Sequence, residues 1–268
     1  MLISHESPLC LLEKSRFYND FDYCLVHLFD KYPQYFNFFK TSLKEFRREV
    51  LLDNSIFELK KAFDADLFAD WVVKLQPTYY IVPDALEDVN TTILQFEVWK
   101  SKYGKLPGKK IGVVQGKTLP ELIECYKYMA SNADYIAISF DYSYYQTCAG
   151  INYVNYYNYN PKLAKWMYGR LLLIDKLKEL NIWNNSIPVH LLGCSLPIEF
   201  KLHNTTNIRS CDTSNPIMAG INNWRYGTNG LTEKPVGLLA DNLEIVLSDV
   251  QQETIEYNVQ AFRKLTNK

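Results

Sequence analysis

Two stretches decide the fold: Val189-His190-Leu191-Leu192-Gly193-Cys194 and Ile208-Arg209-Ser210-Cys211-Asp212-Thr213-Ser214. Each reads as a short buried strand that ends in small or polar residues, and the second carries a carboxylate at its tip. Three earlier runs end in the same manner: Val50-Leu51-Leu52-Asp53, Tyr79-Tyr80-Ile81-Val82-Pro83-Asp84 and Ile111-Gly112-Val113-Val114-Gln115-Gly116. Strand ends that converge on polar side chains are how a parallel α/β barrel assembles a site.

Working outward, Phe21 to Phe29 and Tyr135 to Phe140 add two more apolar, aromatic strand candidates. Between these runs lie segments of helical period: 35–48, 56–75, 88–102, 163–180 and 242–264. Thr118-Leu119-Pro120-Glu121 opens a further helix with a Thr cap and an acidic first turn, and Ser195-Leu196-Pro197-Ile198-Glu199 promises the same device. Strand and helix alternate, which implies a parallel sheet. Seven strands are assigned, and the eighth is expected somewhere in the Asn-, Gly- and Pro-rich residues 216–240, with irregular closure. No GxGxxG opens the first strand-to-helix turn, so a single (β/α)8 TIM-type barrel over residues 1–268 is preferred to a doubly wound sheet.

At 268 residues, with 47% hydrophobic residues and only 11 Gly and 11 Pro, the chain suits one globular barrel of about 250 residues. A net charge of −1 supplies no global basic field, which weighs against tight non-specific DNA binding, although Lys40 to Arg48 could form a local basic face. The six cysteines show no CxxC or Cys/His cluster at metal spacing, and are read as reduced core thiols. No signal peptide and no run of roughly 20 apolar residues is found, so a cytoplasmic protein without a membrane span is expected. Residues 142–160 are dense in Tyr and Asn and lack a period. They are read either as a lid whose rings stack on a base or sugar, or as a biased surface insertion.

Asp53 and Asp212, at separate strand ends, can divide acid/base and nucleophile roles at a sugar carbon, where an anion captures an oxocarbenium-like centre. Asp84 and Gln115 combine an acceptor with an amide that donates and accepts, a set that suits the edge of a guanine-like base. Each Asp is also a possible helix cap, and for a single residue that reading stays open. His190 reads as a hydrogen-bonded core histidine. Arg225, with Trp224 and Tyr226, is a candidate for phosphate or sugar contact.

These runs together resemble the tRNA-guanine transglycosylases. Ile111 to Gly116, a helix and then Ala133-Asp134-Tyr135-Ile136-Ala137-Ile138 are similar to the family's "(I/V)VQG" and "(F/Y)DG(Y/F)AIGG". Tyr80-Ile81-Val82-Pro83-Asp84 resembles the strand that carries its base-recognising Asp, and His190-Leu191-Leu192-Gly193 with Ser210-Cys211-Asp212-Thr213 resembles its nucleophile region. Leu51-Leu52-Asp53-Asn54-Ser55 falls where the family keeps its acid/base Asp. The resemblance implies base exchange, with Asp212 attacking C1′, Asp53 moving the proton, and Asp84, Asn54, Gln115, Gly116, Ser139, Phe140 and Gly193 binding the base.

The chain departs from that pattern in three places. It lacks the zinc-binding cysteines, so no metal and no cofactor are expected. Ser139-Phe140 replaces Gly-Gly, and Thr213-Ser214-Asn215-Pro216 replaces an Arg-rich stretch. The resemblance is then to the phage and bacterial branch that exchanges guanine in DNA for a 7-deazaguanine such as 7-cyano-7-deazaguanine. The same exchange on tRNA, a nucleoside hydrolase and a non-catalytic base-binding subunit are the alternatives, and dimerisation through a zinc region is not expected.

Overall fold

The computed structural model describes residues 1–148, 158–203 and 205–266. Eight strands make one parallel sheet: β1 (Leu2–Ser4), β2 (Asp22–Leu25), β3 (Val50–Asp53), β4 (Tyr79–Ile81), β5 (Lys109–Val114), β6 (Tyr135–Ser139), β7 (Val189–Leu192) and β8 (Ile208–Asp212). They pair in the order β1-β8-β7-β6-β5-β4-β3-β2 and alternate with helices, giving a nearly closed α/β barrel. The TIM-type reading therefore holds.

The eighth strand is not in residues 216–240. It is the first three residues after Met1, with Leu2, Ile3 and Ser4 in register with Ser210, Cys211 and Asp212. Residues 215–221 form a helix instead, and the β pairing described beyond it, up to residue 240, is an isolated bridge between Gly227 and Gly230. A strand of three residues carries too little alternation to show a period, which is why only pairing reveals it. Where β1 and β2 fail to share a ladder, side chains bridge the seam. Ile3 N–H donates to Asp20 Oδ2 at 2.9 Å, and His5 N–H donates to Asn19 Oδ1 at 2.7 Å.

The helices are α1 (Leu12–Tyr18), α2 (Pro33–Lys44), α3 (Ile56–Leu59), α4 (Ala65–Leu75), α5 (Val89–Tyr103), α6 (Leu119–Asn132), α7 (Ser143–Cys148), α8 (Pro161–Glu179), α9 (Glu199–Leu202), α10 (Asn215–Ile221) and α11 (Asp249–Thr266). The expected helix over 56–75 is two, because Lys60 turns left-handed (φ 58°) and Asp64 caps a fresh start by accepting from Asp66 N–H and Leu67 N–H. Thr118 and Glu121 form the predicted capping box of α6. The parallel expectation at Ser195 fails: α9 is a single turn preceded by Ile198, with no side-chain cap, and Glu199 is buried in an ion pair instead. Residues 143–148 of the Tyr/Asn-rich segment are helical, while 149–157 lie outside the described residues.

Ile111, Val114, Ile136 and Ile138 are fully buried, as strands covered on both faces require. Each contributes about 1.5–3 kcal/mol of apolar burial. Inside the barrel the filling is aromatic and polar. Tyr23 of β2 stacks on His190 of β7 with centroids 6.1 Å apart, and Phe21 and Tyr135 meet the same imidazole edge-on. Since β2 and β7 are not sheet neighbours, these rings meet across the barrel interior.

Candidate functional site

The carboxyl-terminal ends of the strands open on a cavity of about 1180 Å³, its open mouth included. Of the residues singled out in the sequence, Asp53, Gln115, Ser139, Phe140, Gly193 and Asp212 line it. Asp84, Asn54 and Gly116 do not.

Asp212 ends β8 and is 5% exposed. Its Oδ1 accepts from the Gly193 N–H at 3.1 Å and lies 2.9 Å from His190 Nε2. The other ring nitrogen of His190 sits 2.8 Å from Ser210 Oγ, which in turn is hydrogen-bonded to the Tyr135 hydroxyl. A carboxylate accepts only, so His190 directs an Nε2 proton at Asp212, and its Nδ1 is bonded to the Ser210 hydroxyl. Oδ2 has no hydrogen-bond partner among the described residues, and Asp212 faces the cavity. His190, fully buried, is the core histidine the sequence suggested, and it also holds this carboxylate.

Gly193 can present its N–H because its φ is +66°, a conformation that favours glycine. Its carbonyl accepts from Arg170 Nη2 at 3.0 Å. Arg170 is fully buried on α8 and uses all its donors: two on Glu199 at 2.7 and 2.8 Å, and the others on the carbonyls of Gly193, Leu192 and Ile138. The guanidinium also lies 5.0 Å from the Phe140 ring centroid. Arg170 and Glu199 thereby tie the tips of β6 and β7 to the outer helices. Sequence reading missed both, because each sits in a segment whose charged residues are mostly solvent-facing.

Asp53 ends β3 and is 8% exposed. Oδ2 accepts from the Tyr23 hydroxyl at 2.7 Å and Oδ1 from Ser55 N–H at 2.5 Å. Burial, followed by the negative charge of Glu58, pushes its carboxyl well above the usual range, against the pull of those two donors. Glu58 and Glu6 are further carboxyls of the cavity wall, and neither ends an apolar run that would have singled it out. Burial raises Glu58 to about 6, and one of its oxygens is buried without a hydrogen-bond partner among the described residues. Burial, then the charges of Asp212, Glu58 and Asp53, raise Glu6 as well, with Lys234 opposing. Among the described residues no three His, Cys, Asp or Glu side chains are placed to hold a metal ion.

Asp84 sits beneath the cavity, where its oxygens accept from Asn54 Nδ2 at 2.8 Å and Gln115 Nε2 at 2.7 Å. The amide oxygens are also occupied, by Ile56 N–H and Glu87 N–H. The trio thus braces the tips of β3, β4 and β5, and the Asp84 and Asn54 side chains, singled out for a base, are engaged by protein partners here. Burial raises Asp84 to about 6, and the two amides counter it. Gly116 serves packing: a Cβ there would lie 2.8 Å from Glu121 Cβ and 2.9 Å from Leu122 N. Arg225 packs over the Tyr257 ring at 3.8 Å, Tyr226 is buried against Asn215, and Arg209 pairs with Glu49 at the opposite end of the barrel.

No family model matches the chain. The chain is similar to a tRNA (uracil-O(2)-)-methyltransferase of Aspergillus oryzae, 35% identical over 60 residues. That match takes in 22% of the chain and 9% of the methyltransferase's length. The resemblance to tRNA-guanine transglycosylases is thereby overturned as a family assignment: the similarity found falls on a methyltransferase, and it is partial.

Proposed function

We propose that this cavity performs glycosyl transfer at the C1′ of a nucleotide, as a pentosyltransferase that exchanges guanine in DNA for a 7-deazaguanine. The observation that carries the chemistry is Asp212, with one oxygen held by His190 and Gly193 and the other free toward the cavity, beside an Asp53 whose raised pKa lets it carry a proton. Two carboxyls with unlike environments in one cavity divide nucleophile from acid.

In this reading Asp212 Oδ2 attacks C1′ and the bond from C1′ to the base nitrogen breaks. The departing base takes the proton of Asp53, which leaves a sugar ester on Asp212. The incoming base then gives its ring N–H proton to the Asp53 carboxylate, and its nitrogen attacks C1′ and releases Asp212. Tyr23, hydrogen-bonded to Asp53, keeps that carboxyl oriented throughout. Gln115, Ser139 and Phe140 form the wall where a purine would lie. The set of acids around the cavity suits a sugar carbon that gains positive charge as its bond breaks.

The test is incubation of the protein with DNA or tRNA and 7-cyano-7-deazaguanine, followed by digestion and nucleoside mass spectrometry. The expected result is the deazaguanine nucleoside in DNA, lost in the Asp212→Asn variant together with covalent trapping. Incorporation in tRNA alone would keep the chemistry and change the polymer. Free guanine without incorporation would make the protein a hydrolase. Full activity in Asp212→Asn would overturn the nucleophile.

A further inference from the structure

Two aromatic rings belong to the cavity wall, Phe57 of α3 and Trp166 of α8. Phe57 has two lysine ammonium groups over it and Trp166 has one. Lys60 Nζ lies 4.0 Å and Lys234 Nζ 5.6 Å from the Phe57 centroid, and Lys162 Nζ lies 4.8 Å from the Trp166 centroid. All three lysines are exposed, and among the described residues none is within ion-pair distance of a carboxylate. Two neighbouring acids have other partners: Glu233 accepts from the Asn160 amide at 2.8 Å, and Asp141 from the Ser139 hydroxyl at 3.0 Å. Glu6 and Glu58 of the cavity wall feel the charges of Lys234 and Lys60 without forming an ion pair with them. A cation over a ring is held in place by the ring's face while its outer side stays open to a second, anionic partner.

We propose that the mouth of the cavity is a clasp for a single-stranded polynucleotide, with Lys60, Lys162 and Lys234 on phosphates and Phe57 and Trp166 as stacking plates. This rests on the nucleotide reading of the cavity. Charge and rings together select the partner, because each phosphate has a base beside it and every base has a face to stack. An acidic protein would use the charges and leave the rings idle. The recess favours a single strand: Asp212 and Asp53 are 5% and 8% exposed, so a nucleotide must leave its stack to reach them, which costs a duplex its pairing energy there. A single strand enters without unpairing.

The measurement is fluorescence anisotropy of a single-stranded DNA of about 12 nucleotides, with wild-type protein, no incoming base and a series of salt concentrations. Each phosphate contact contributes about 0.7 to the salt slope for single strands. Replacing Lys60, Lys162 and Lys234 by Ala together should reduce that slope by about 2. A Lys105→Ala/Lys109→Ala control, at the amino-terminal end of β5, should leave it unchanged. Phe57→Ala and Trp166→Ala should each weaken binding roughly tenfold at an unaltered slope. An unchanged slope in the triple variant, or an equal fall in the control, would overturn the clasp. The two readings fail separately. A slope that depends on the three lysines without any base exchange would leave the clasp standing and remove the chemistry. Exchange that is indifferent to the lysines would do the reverse.

Discussion

Asp212 Oδ1 has two neighbours that act on it differently: the backbone N–H of Gly193 fixes where the oxygen lies, and His190 fixes which way the carboxylate plane turns. His190 does not line the cavity, so its replacement alters the carboxylate proposed as nucleophile without altering the cavity wall. The His190→Phe variant keeps a ring against Tyr23 and loses the donor. Exchange should then fall roughly tenfold to hundredfold in kcat, the equivalent of the ~1.5–3 kcal/mol of a hydrogen bond to a charged group. KM should stay close to the wild-type value. A fall in kcat/KM carried by KM alone would mean that His190 shapes the pocket and not the carboxylate. At this scale the sequence was legible where a polar residue ended an apolar run, as at Asp53, Gln115 and Asp212. It was silent on Glu6, which follows a strand of three residues, and on Tyr23, whose inward direction depends on a phase that a short strand does not declare. Glu58 sits on a one-turn helix among charged neighbours and reads as surface.

The strand tips are held by two braces of different kinds. Asp84 joins three tips through side-chain amides, and Arg170 with Glu199 joins two through backbone carbonyls. The elements themselves were readable from sequence where length let a period or a cap show, as in α6 with its Thr118 box and β5 with its apolar run. They were unreadable where pairing alone defines them, as in β1. The Arg170 brace was hidden for a related reason, since burial of a charge depends on which helix packs where. Removing one member of a buried ion pair costs about 3–5 kcal/mol because the other is stranded. Arg170→Met should therefore lower the unfolding free energy by about that amount in urea titrations. Adding Glu199→Leu should recover much of the loss, since no lone charge remains. The proposed exchange activity should not recover with it, because the Gly193 carbonyl has lost its anchor and the N–H is no longer held toward Asp212. Restored activity in the stable double variant would reduce the brace to packing alone.

The whole barrel carries a group of ionisable side chains whose burial acts with opposite signs on stability. A carboxyl with a raised folded-state pKa holds its proton after the unfolded chain has released it, so the stability it contributes is whole below the unfolded value and is lost as pH rises through the folded one. For Glu58 that window runs from 4.5 to about 6, and for Asp84 from 3.8 to about 6. His5 works the other way. It is buried edge-on against Phe262, and burial, with the charge of Arg263 adding to it, lowers it from 6.5 to about 3, against the pull of the Thr213 backbone and the charge of Asp20. The unfolded chain takes up that proton below pH 6.5 while the folded one does not, so stability falls as pH drops across the window. One variant of each kind separates the two contributions. Between pH 4.5 and pH 7 the Glu58→Gln variant should gain on the wild type by up to about 2 kcal/mol, because a tenfold change in proton affinity is worth ~1.4 kcal/mol. His5→Leu should gain in the opposite direction, as pH falls from 6.5 toward 4, by roughly 1.4 kcal/mol per pH unit. Urea unfolding of the three proteins across this range measures both. Curves that run parallel to the wild type would show that neither group is held away from its ordinary titration. Curves that cross, with Glu58→Gln ahead at neutral pH and His5→Leu ahead in acid, would show that the cavity wall and the β1 seam are strained at opposite ends of the pH scale.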